Sequence, residues 1–124
     1  MDPLELHISL IGHGIGSRVV RAAFVGTVPP GKGGEACADF IAEKIALVCG
    51  GDPPDAVVVD LTALGEWNAD GLAERLHEVH ARFRGVRLAV VARDPAFREL
   101  ETAFVGDEEL RSGLARTLEA VIRP

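Results

Sequence analysis

The feature that most constrains the fold is an unbroken run of three valines, residues 57–59, followed at once by the charged Asp60. A β-branched run without polar alternation is typical of a strand that is covered on both faces. Residues 62–67 show no hydrophobic period, which predicts a loop. Asn68 then suits a helix N-cap, and Asp70 puts an acid in the first turn, where the helix dipole favours it. In an α/β chain, the loop between such a strand and helix is where function usually lies.

The rest of the chain alternates between strand and helix patterns. Alternating apolar residues, a short glycine-rich turn and a second apolar run predict an antiparallel hairpin at the start. The predicted order is β-β-α-β-α-β-α-α, with strands at 4–11, 18–28, 56–60 and 86–92, helices at 35–49, 68–84, 94–104 and 107–123, and a loop at 29–34. This order predicts one α/β domain over residues 1–124, with a mixed β-sheet and helices packed on it.

The central stretch resembles the corresponding segment of STAS domains, the sulphate transporter and anti-sigma-factor antagonist family. That family reads apolar strand, Asp-Leu-Ser/Thr, a short loop, Asp-Ser-Ser-Gly-Leu and then a helix. Here residues 60–62 read Asp-Leu-Thr and residues 68–72 read Asn-Ala-Asp-Gly-Leu, so that Gly-Leu is kept and both serines are replaced. The resemblance covers about residues 18–104. It implies a mixed sheet with helices mainly on one face.

Composition narrows the classes of function. The chain has 124 residues, of which 48% are hydrophobic, and its formal net charge is −6. An acidic balance argues against nucleic acid or an anionic membrane as the main partner. No apolar run approaches the roughly 20 residues of a membrane span, and the start lacks the basic segment of a signal peptide. These observations predict a cytoplasmic protein. Cys37 and Cys49, twelve residues apart on one predicted helix, are expected to be reduced thiols.

Two glycine motifs invite a nucleotide interpretation. The glycines at 12, 14 and 16 resemble a dinucleotide fingerprint, but the third comes one residue early. Gly31 and Lys32 precede a helix as in a phosphate-binding loop, yet Gly33 stands where the metal-binding Ser or Thr belongs. A flexible hairpin turn and a mobile loop are the plainer readings. No nucleotide or other cofactor is predicted.

Metal and nucleophilic sites are also poorly supported. Glu74, His77 and His80 follow one another at three-residue steps on a predicted helix. At 100° per residue, Glu74 and His80 diverge by about 240°, so the three side chains cannot converge on one ion. The sequence has no G-x-S-x-G elbow, and its three serines lie in no catalytic pattern. We therefore predict neither a metal site nor an enzyme.

The predicted function is a protein-interaction module of bacterial signalling. In antagonist-type STAS domains, the second serine of the motif is phosphorylated by a kinase that is itself an anti-sigma factor. Asp70 occupies that position here, so the resemblance implies a member without this switch. Its partner would be a kinase-like anti-sigma factor or another STAS protein. The predicted partner-binding residues lie in the loop and at the helix start: Thr62, Trp67, Asn68, Ala69, Asp70 and Gly71.

Several alternatives stay open from the sequence. Asn68 and Asp70 could simply stabilise the helix, a role that does not exclude recognition. Trp67 could be a hydrophobic staple that packs back on the helix, or an exposed anchor for a partner. Because the STAS fold also serves transporters, a small-molecule or lipid-handling module is the alternative function.

Overall fold

The computed structural model describes residues 4–12, 18–26, 32–64 and 70–119. The strands are β1 (Leu4–Gly12), β2 (Val19–Gly26), β3 (Ala56–Leu64), β4 (Arg87–Val91) and β5 (Leu114–Ala115). The helices are α1 (Lys32–Gly50), α2 (Asp70–Arg82), α3 (Ala96–Ala103) and α4 (Glu108–Ser112). Within these residues, no helix combines the length and apolar character that a membrane span needs.

One mixed sheet organises the chain, with the strands in the order β1-β2-β3-β4-β5. The opening hairpin is antiparallel, as predicted, and pairs Leu4 with Gly26 and Leu10 with Val20. The other neighbouring strands are parallel, because each is reached by a crossover through at least one helix. The predicted fold class, a mixed sheet with an N-terminal hairpin, is confirmed.

The helices pack on one face of the sheet. In the first part of β3, alternate residues point to this face and are buried: Val57, Val59 and Leu61. The helices cover them with apolar residues at helical spacing. The principal contributors from the helices are Cys37, Ile41, Ile45, Leu72, Leu76, Leu100 and Leu110. The predicted helix layer is therefore confirmed, and both cysteines are buried free thiols on α1.

The opposite face carries a smaller apolar cluster. Val58, Ala89 and Val91 form it, and the partly buried Val19 and Leu118 pack against it. None of α1 to α4 contributes to this cluster, and Leu118 reaches it from a short helical segment after β5. The run at 57–59 is nonetheless buried on both faces, as the unbroken valines predicted.

Strand β3 is longer than predicted. Residues 62–64 were expected to be loop, but they continue the strand, and Leu64 pairs with Gly26 of β2. Asp60 does not end the strand because its charge is neutralised within the sheet, as described below. Leu61 and Leu64 are then buried on the helix face. A charged residue was therefore the wrong marker for the strand end.

The prediction of one long helix at 107–123 is wrong. Helix α4 ends at Ser112, and Leu114–Ala115 form a short fifth strand that pairs parallel with β4. The Gly113 and Ala115 carbonyl oxygens accept from the N–H groups of Val90 and Ala92. Gly113 makes this possible, because a Cβ there would lie 2.7 Å from the Leu88 carbonyl oxygen. The predicted helix rested on the helical spacing of Leu110, Leu114 and Leu118, and this spacing was coincidental. Leu110 and Leu114 pack on the helix face, whereas Leu118 packs on the other face.

Two smaller corrections concern the first half of the chain. Residues 32–34, predicted as loop, belong to α1, because the packing of its apolar stripe outweighs the weak helix propensity of two glycines. The apolar residues of β1 alternate as in a strand with one buried face, but Ile8 and Leu10 are largely exposed, since β1 is an edge strand. The glycine turn at 13–17 and residues 29–31 lie outside the described residues.

Candidate functional site

Asp60 is the buried charged residue at the centre of the candidate site. It lies on β3 with 3% of its surface exposed, and it alternates with the core residues of the helix face. Its side chain therefore points to the opposite face. Arg21 on β2 reaches it with two donors, Nε at 2.9 Å and Nη2 at 2.7 Å from Oδ2. A buried carboxylate with a forked guanidinium partner is a fixed, oriented charge pair.

Thr62 donates hydrogen bonds to the other carboxylate oxygen of Asp60, Oδ1. Its backbone N–H donates to Asp60 Oδ1 at 3.0 Å, and its hydroxyl donates to the same oxygen at 2.6 Å. Burial acts to raise the pKa of the Asp60 carboxyl, but the hydrogen bonds from Thr62 and Arg21, with the positive charge of Arg21, outweigh it and lower this pKa. Asp60 is therefore ionised near neutral pH, and the Thr62 hydroxyl is engaged in holding it.

Gly71 lies at the start of α2, where that helix approaches α1. A Cβ at this position would lie 3.7 Å from the Cβ of Ala38 and 3.3 Å from Nη1 of Arg75. Arg75 donates to the Gly71 carbonyl oxygen at 2.9 Å and also contacts Asp39 on α1. The first turn of α2 is thus held against α1 by close packing and by one arginine that bridges the two helices.

The remaining predicted site residues are only partly placed. Asp70 is the first residue of α2, as expected for an acid in the first turn. Trp67, Asn68 and Ala69 lie outside the described residues, so the N-cap and the two alternatives for Trp67 stay predictions. The described part of the predicted surface consists of Thr62, two residues before the end of β3, and of Asp70 and Gly71 at the start of α2.

The histidines of α2 form a second polar cluster. His77 Nδ1 lies 2.9 Å and His80 Nδ1 lies 3.4 Å from Oδ2 of Asp107, and His80 Nε2 lies 2.7 Å from Oε2 of Glu109. Asp107 is also the N-cap of α4, because it accepts from the Leu110 N–H at 3.2 Å. The cluster joins α2 to α4.

No arrangement of three or more His, Cys, Asp or Glu among the described residues suits a metal ion. Burial acts to raise the pKa of the Asp107 carboxyl, but the Leu110 hydrogen bond and the nearby His80 and His77 outweigh it and lower this pKa. The Leu110 hydrogen bond and the histidines thus favour the ionised form of the Asp107 cap. This geometry fits a structural role for Asp107 in fixing α4.

A groove of about 470 Å³ runs between α1 and α2. Its apolar lining is small, and most of its lining side chains are charged: Asp39, Glu43, Glu74, Arg75, Glu78 and Arg82. Glu74 therefore lines this groove, whereas His77 and His80 contact Asp107. The three residues that were weighed as ligands do not converge, as their helical angles indicated.

The Arg21–Asp60 pair was missed in the sequence, although a signal for it exists. Arg21 interrupts an apolar strand, and Asp60 ends an apolar run in the next strand along the chain. Strands joined by a single helix crossover are usually neighbours. Two opposite charges placed within such strands are therefore candidates for a buried pair. The link between His80 and Asp107 has no comparable local signal.

The architecture places this chain beside known structures. An anti-sigma factor antagonist from Mycobacterium paratuberculosis superposes with a TM-score of 0.56 at 22% identity, over 94% of this chain and 92% of that one. The fold is STAS-like. The STAS domain of a SulP transporter from Vibrio cholerae matches with a TM-score of 0.52 at 17% identity, over 77% of this chain and 73% of that one. No protein-family model and no curated protein sequence matches the chain.

Proposed function

We propose that this STAS-like chain, residues 1–124, is a non-enzymatic protein-interaction module of bacterial signalling. The observation that carries the proposal is the likeness to an anti-sigma factor antagonist over nearly the full length of both chains. The partner would be a kinase-like anti-sigma factor or another STAS protein. A cytoplasmic location fits such a partner and belongs to the same proposal.

The proposed binding surface joins the end of β3 to the start of α2. Its predicted members are Thr62, Trp67, Asn68, Ala69, Asp70 and Gly71. Two features support a preformed surface. The Arg21–Asp60 pair fixes the backbone of Thr62, and the packing of Gly71 on Ala38 fixes the first turn of α2. A rigid surface loses less conformational entropy when a partner binds.

The same surface would work without a phosphorylation switch. Asp70 occupies the position of the modified serine and has no hydroxyl. Thr62 does have one, but it is partly buried and donates to Asp60 at 2.6 Å. Phosphorylation of Thr62 would break that bond and place a second negative charge beside the Asp60 carboxylate. We therefore propose that binding is constitutive or is regulated elsewhere.

The small-molecule or lipid-handling alternative has weaker support. The likeness to a transporter STAS domain covers 73% of that chain. The groove between α1 and α2 has mostly charged walls, whereas sites for drug-sized or lipid ligands are predominantly apolar. A saturable ligand found by native mass spectrometry would favour this alternative over the interaction module.

The test is affinity capture of the tagged protein from its own host, with and without ATP. We expect a kinase-like ATPase or a STAS protein to be recovered in both conditions, since Asp70 has no hydroxyl for a serine kinase to phosphorylate. Trp67→Ala should lose the partner. Asp70→Ser should bind without ATP and be released with ATP, if the partner is a kinase that acts at this position.

Val105→Ala is the matched control. Val105 is a large exposed apolar residue that follows α3, far along the chain from the proposed surface, and its truncation should leave binding unchanged. Recovery of no protein partner by the wild-type chain would contradict the proposal. Stoichiometric phosphate on Asp70 or Thr62 in native material, read by intact-mass spectrometry, would contradict the unswitched version.

A further inference from the structure

The edge strand β1 exposes apolar surface that its neighbours do not cover. Ile8 is 57% exposed and Leu10 is 55% exposed. Their partners in the hairpin, Ala22 and Val20, belong to β2, and directly opposite residues share a face. Leu6, on the same face, packs against the core. The helix layer therefore ends over β2, and the outer part of this face at β1 stays open.

The strand also carries few of the features that usually protect a sheet edge, since Glu5 near one end is its one acidic side chain. Natural edge strands are commonly very short, or carry lysine, proline or a bulge that prevents pairing with another chain. β1 spans nine residues, Leu4–Gly12, and contains neither lysine nor proline. Its irregularity lies at the far end, between Leu10 and Gly12. Within the described part of the chain, β1 pairs only with β2.

We propose that β1 is a self-association surface, at which a second copy of this chain pairs antiparallel with β1 to extend the sheet. Antiparallel pairing of identical strands creates a two-fold axis, so that the same patch serves both copies. The two helix layers then lie on the same side of the joined sheet. Ile8 and Leu10 of both copies become neighbours in one apolar trough.

The sequence of β1 selects the register. The middle of Leu4–Gly12 is Ile8, so a two-fold axis at Ile8 pairs the strand over its whole length. This register places Leu10 opposite Leu6 of the second copy and Ile8 opposite itself. A register centred on Leu6 would leave Leu10 without a strand residue opposite. The self-complementary apolar face therefore favours a second copy as the occupant.

The polar face of β1 is compatible with the same register. His7 comes opposite Ser9 of the second copy, and the two Glu5 side chains lie at opposite ends of the interface. No like charges are then directly opposite, which would destabilise the pairing. One strand pair buries less surface than a standard interface, so we expect a dissociation constant on the order of 10 µM and a concentration-dependent dimer.

Sedimentation velocity over a range of protein concentrations tests the proposal. The wild-type chain should shift from monomer to dimer as its concentration rises. Ile8→Lys, which puts a charge into the apolar trough, should weaken dimerisation at least about tenfold. The matched controls are Leu47→Lys and Val105→Lys, because these large apolar residues are exposed to 64% and 67% but lie outside β1. Both should dimerise like the wild type.

A cross-linking variant tests the register and does not depend on how well the lysine variant folds. With the axis at Ile8, Ile8→Cys places two thiols opposite each other, within reach of an intermolecular disulfide. Mild oxidation should link Ile8→Cys and leave Leu47→Cys largely unlinked, because Leu47 lies outside β1. The native Cys37 and Cys49 are buried and should not contribute. A wild-type chain that stays monomeric at every concentration overturns the proposal. Equal weakening of dimerisation by all three lysine variants overturns it too, as does equal cross-linking of the two cysteine variants. These results do not depend on the signalling partner.

Discussion

The two faces of the sheet are stabilised in different ways. The helix face buries large apolar side chains such as Phe24, Leu72 and Phe104 beneath the helices. The opposite face has a small cluster of Val58, Ala89 and Val91 and, beside it, the Arg21–Asp60–Thr62 network.

The difference follows from what covers each face. Large apolar residues stabilise a fold only where something excludes water from them, and the helices do so on one side. On the other side, the sheet relies on small side chains and on a charge pair whose arginine is 35% exposed. Thr62, which belongs to the predicted partner surface, is part of the network on this second face. The predictions below test the contrast, beginning with the largest expected effect.

Removing a large side chain from the helix face should cost the most. Phe24 is fully buried, and its ring lies 6.2 Å from the ring of Phe40 in an edge-to-face arrangement. Phe24→Ala should lower the free energy of unfolding by about 3–5 kcal/mol, because it leaves a cavity that the helices cannot fill. Urea denaturation measures this loss of unfolding free energy. Val58→Ala, on the opposite face, should cost about 2 kcal/mol, and equal losses for the two variants would contradict the contrast.

Neutralising the buried carboxylate should have the next largest effect. Asp60→Asn keeps the shape but removes the charge that Arg21 binds. We expect a loss of about 2–3 kcal/mol at pH 7, less than for a fully buried pair because Arg21 reaches solvent. Asp52→Asn is the control. Asp52 pairs with Arg18 at 2.8 Å but is exposed, so its loss should change stability little.

The pH dependence of the same variant has a defined sign. The pKa of Asp60 is lower in the folded protein than its usual value of 3.8, so its ionised form stabilises the fold. This contribution is complete above that value and is lost as the pH falls through the folded pKa. The difference in stability between wild type and Asp60→Asn should therefore be constant from neutral to mildly acidic pH and shrink below about pH 4. A difference that stays constant into strong acid would exclude this account.

Gly113, which joins α4 to β5, should not tolerate the addition of one methyl group. Gly113→Ala would place a Cβ 2.7 Å from the Leu88 carbonyl oxygen and push β5 away from β4. We expect a loss of about 2 kcal/mol and faster exchange of the Val90 amide, which donates to Gly113. Gly51→Ala, where a Cβ meets no atom within 4 Å, should change stability by less than about 0.5 kcal/mol.

The smallest effect is expected at the rim of the helix face. Asp107→Ala removes the N-cap of α4 and should cost about 1 kcal/mol in thermal or urea unfolding. Asp107→Asn keeps an acceptor for the Leu110 N–H but loses the attraction to His77 and His80, so it should cost less. Equal losses for Asp107→Asn and Asp107→Ala would show that the histidine contacts, which both variants lose, outweigh the cap.

Periodicity was sufficient to predict most of the helix face. The stripes of α1 and α2, the buried valines of β3 and the opening hairpin were all legible because each pattern repeats over several residues. The same reasoning failed in the last part of the chain. The spacing of Leu110, Leu114 and Leu118 fits a helix, but local spacing does not show that Gly113 lets the backbone reach β4.

The candidate site was predictable only in part, for a related reason. The segment from Asp60 to Gly71 was identified from its local order of strand, loop and helix start. Its supporting pair was not, because Arg21 and Asp60 are 39 residues apart and meet only when the sheet forms. The same holds for His80 and Asp107. Contacts between distant segments depend on topology, which one sequence specifies weakly.

Gly113 has a consequence for any survey of all single substitutions in this chain. Every side chain at this position must displace the backbone of β4, so the position should tolerate almost no replacement. Scored by the proposed partner binding alone, it would look as important as a residue that contacts a partner. Scored by protein abundance, it would separate from residues that act only by contacting a partner, whose replacement should leave abundance intact. Gly113 can therefore calibrate how much of such a map reflects folding and how much reflects recognition.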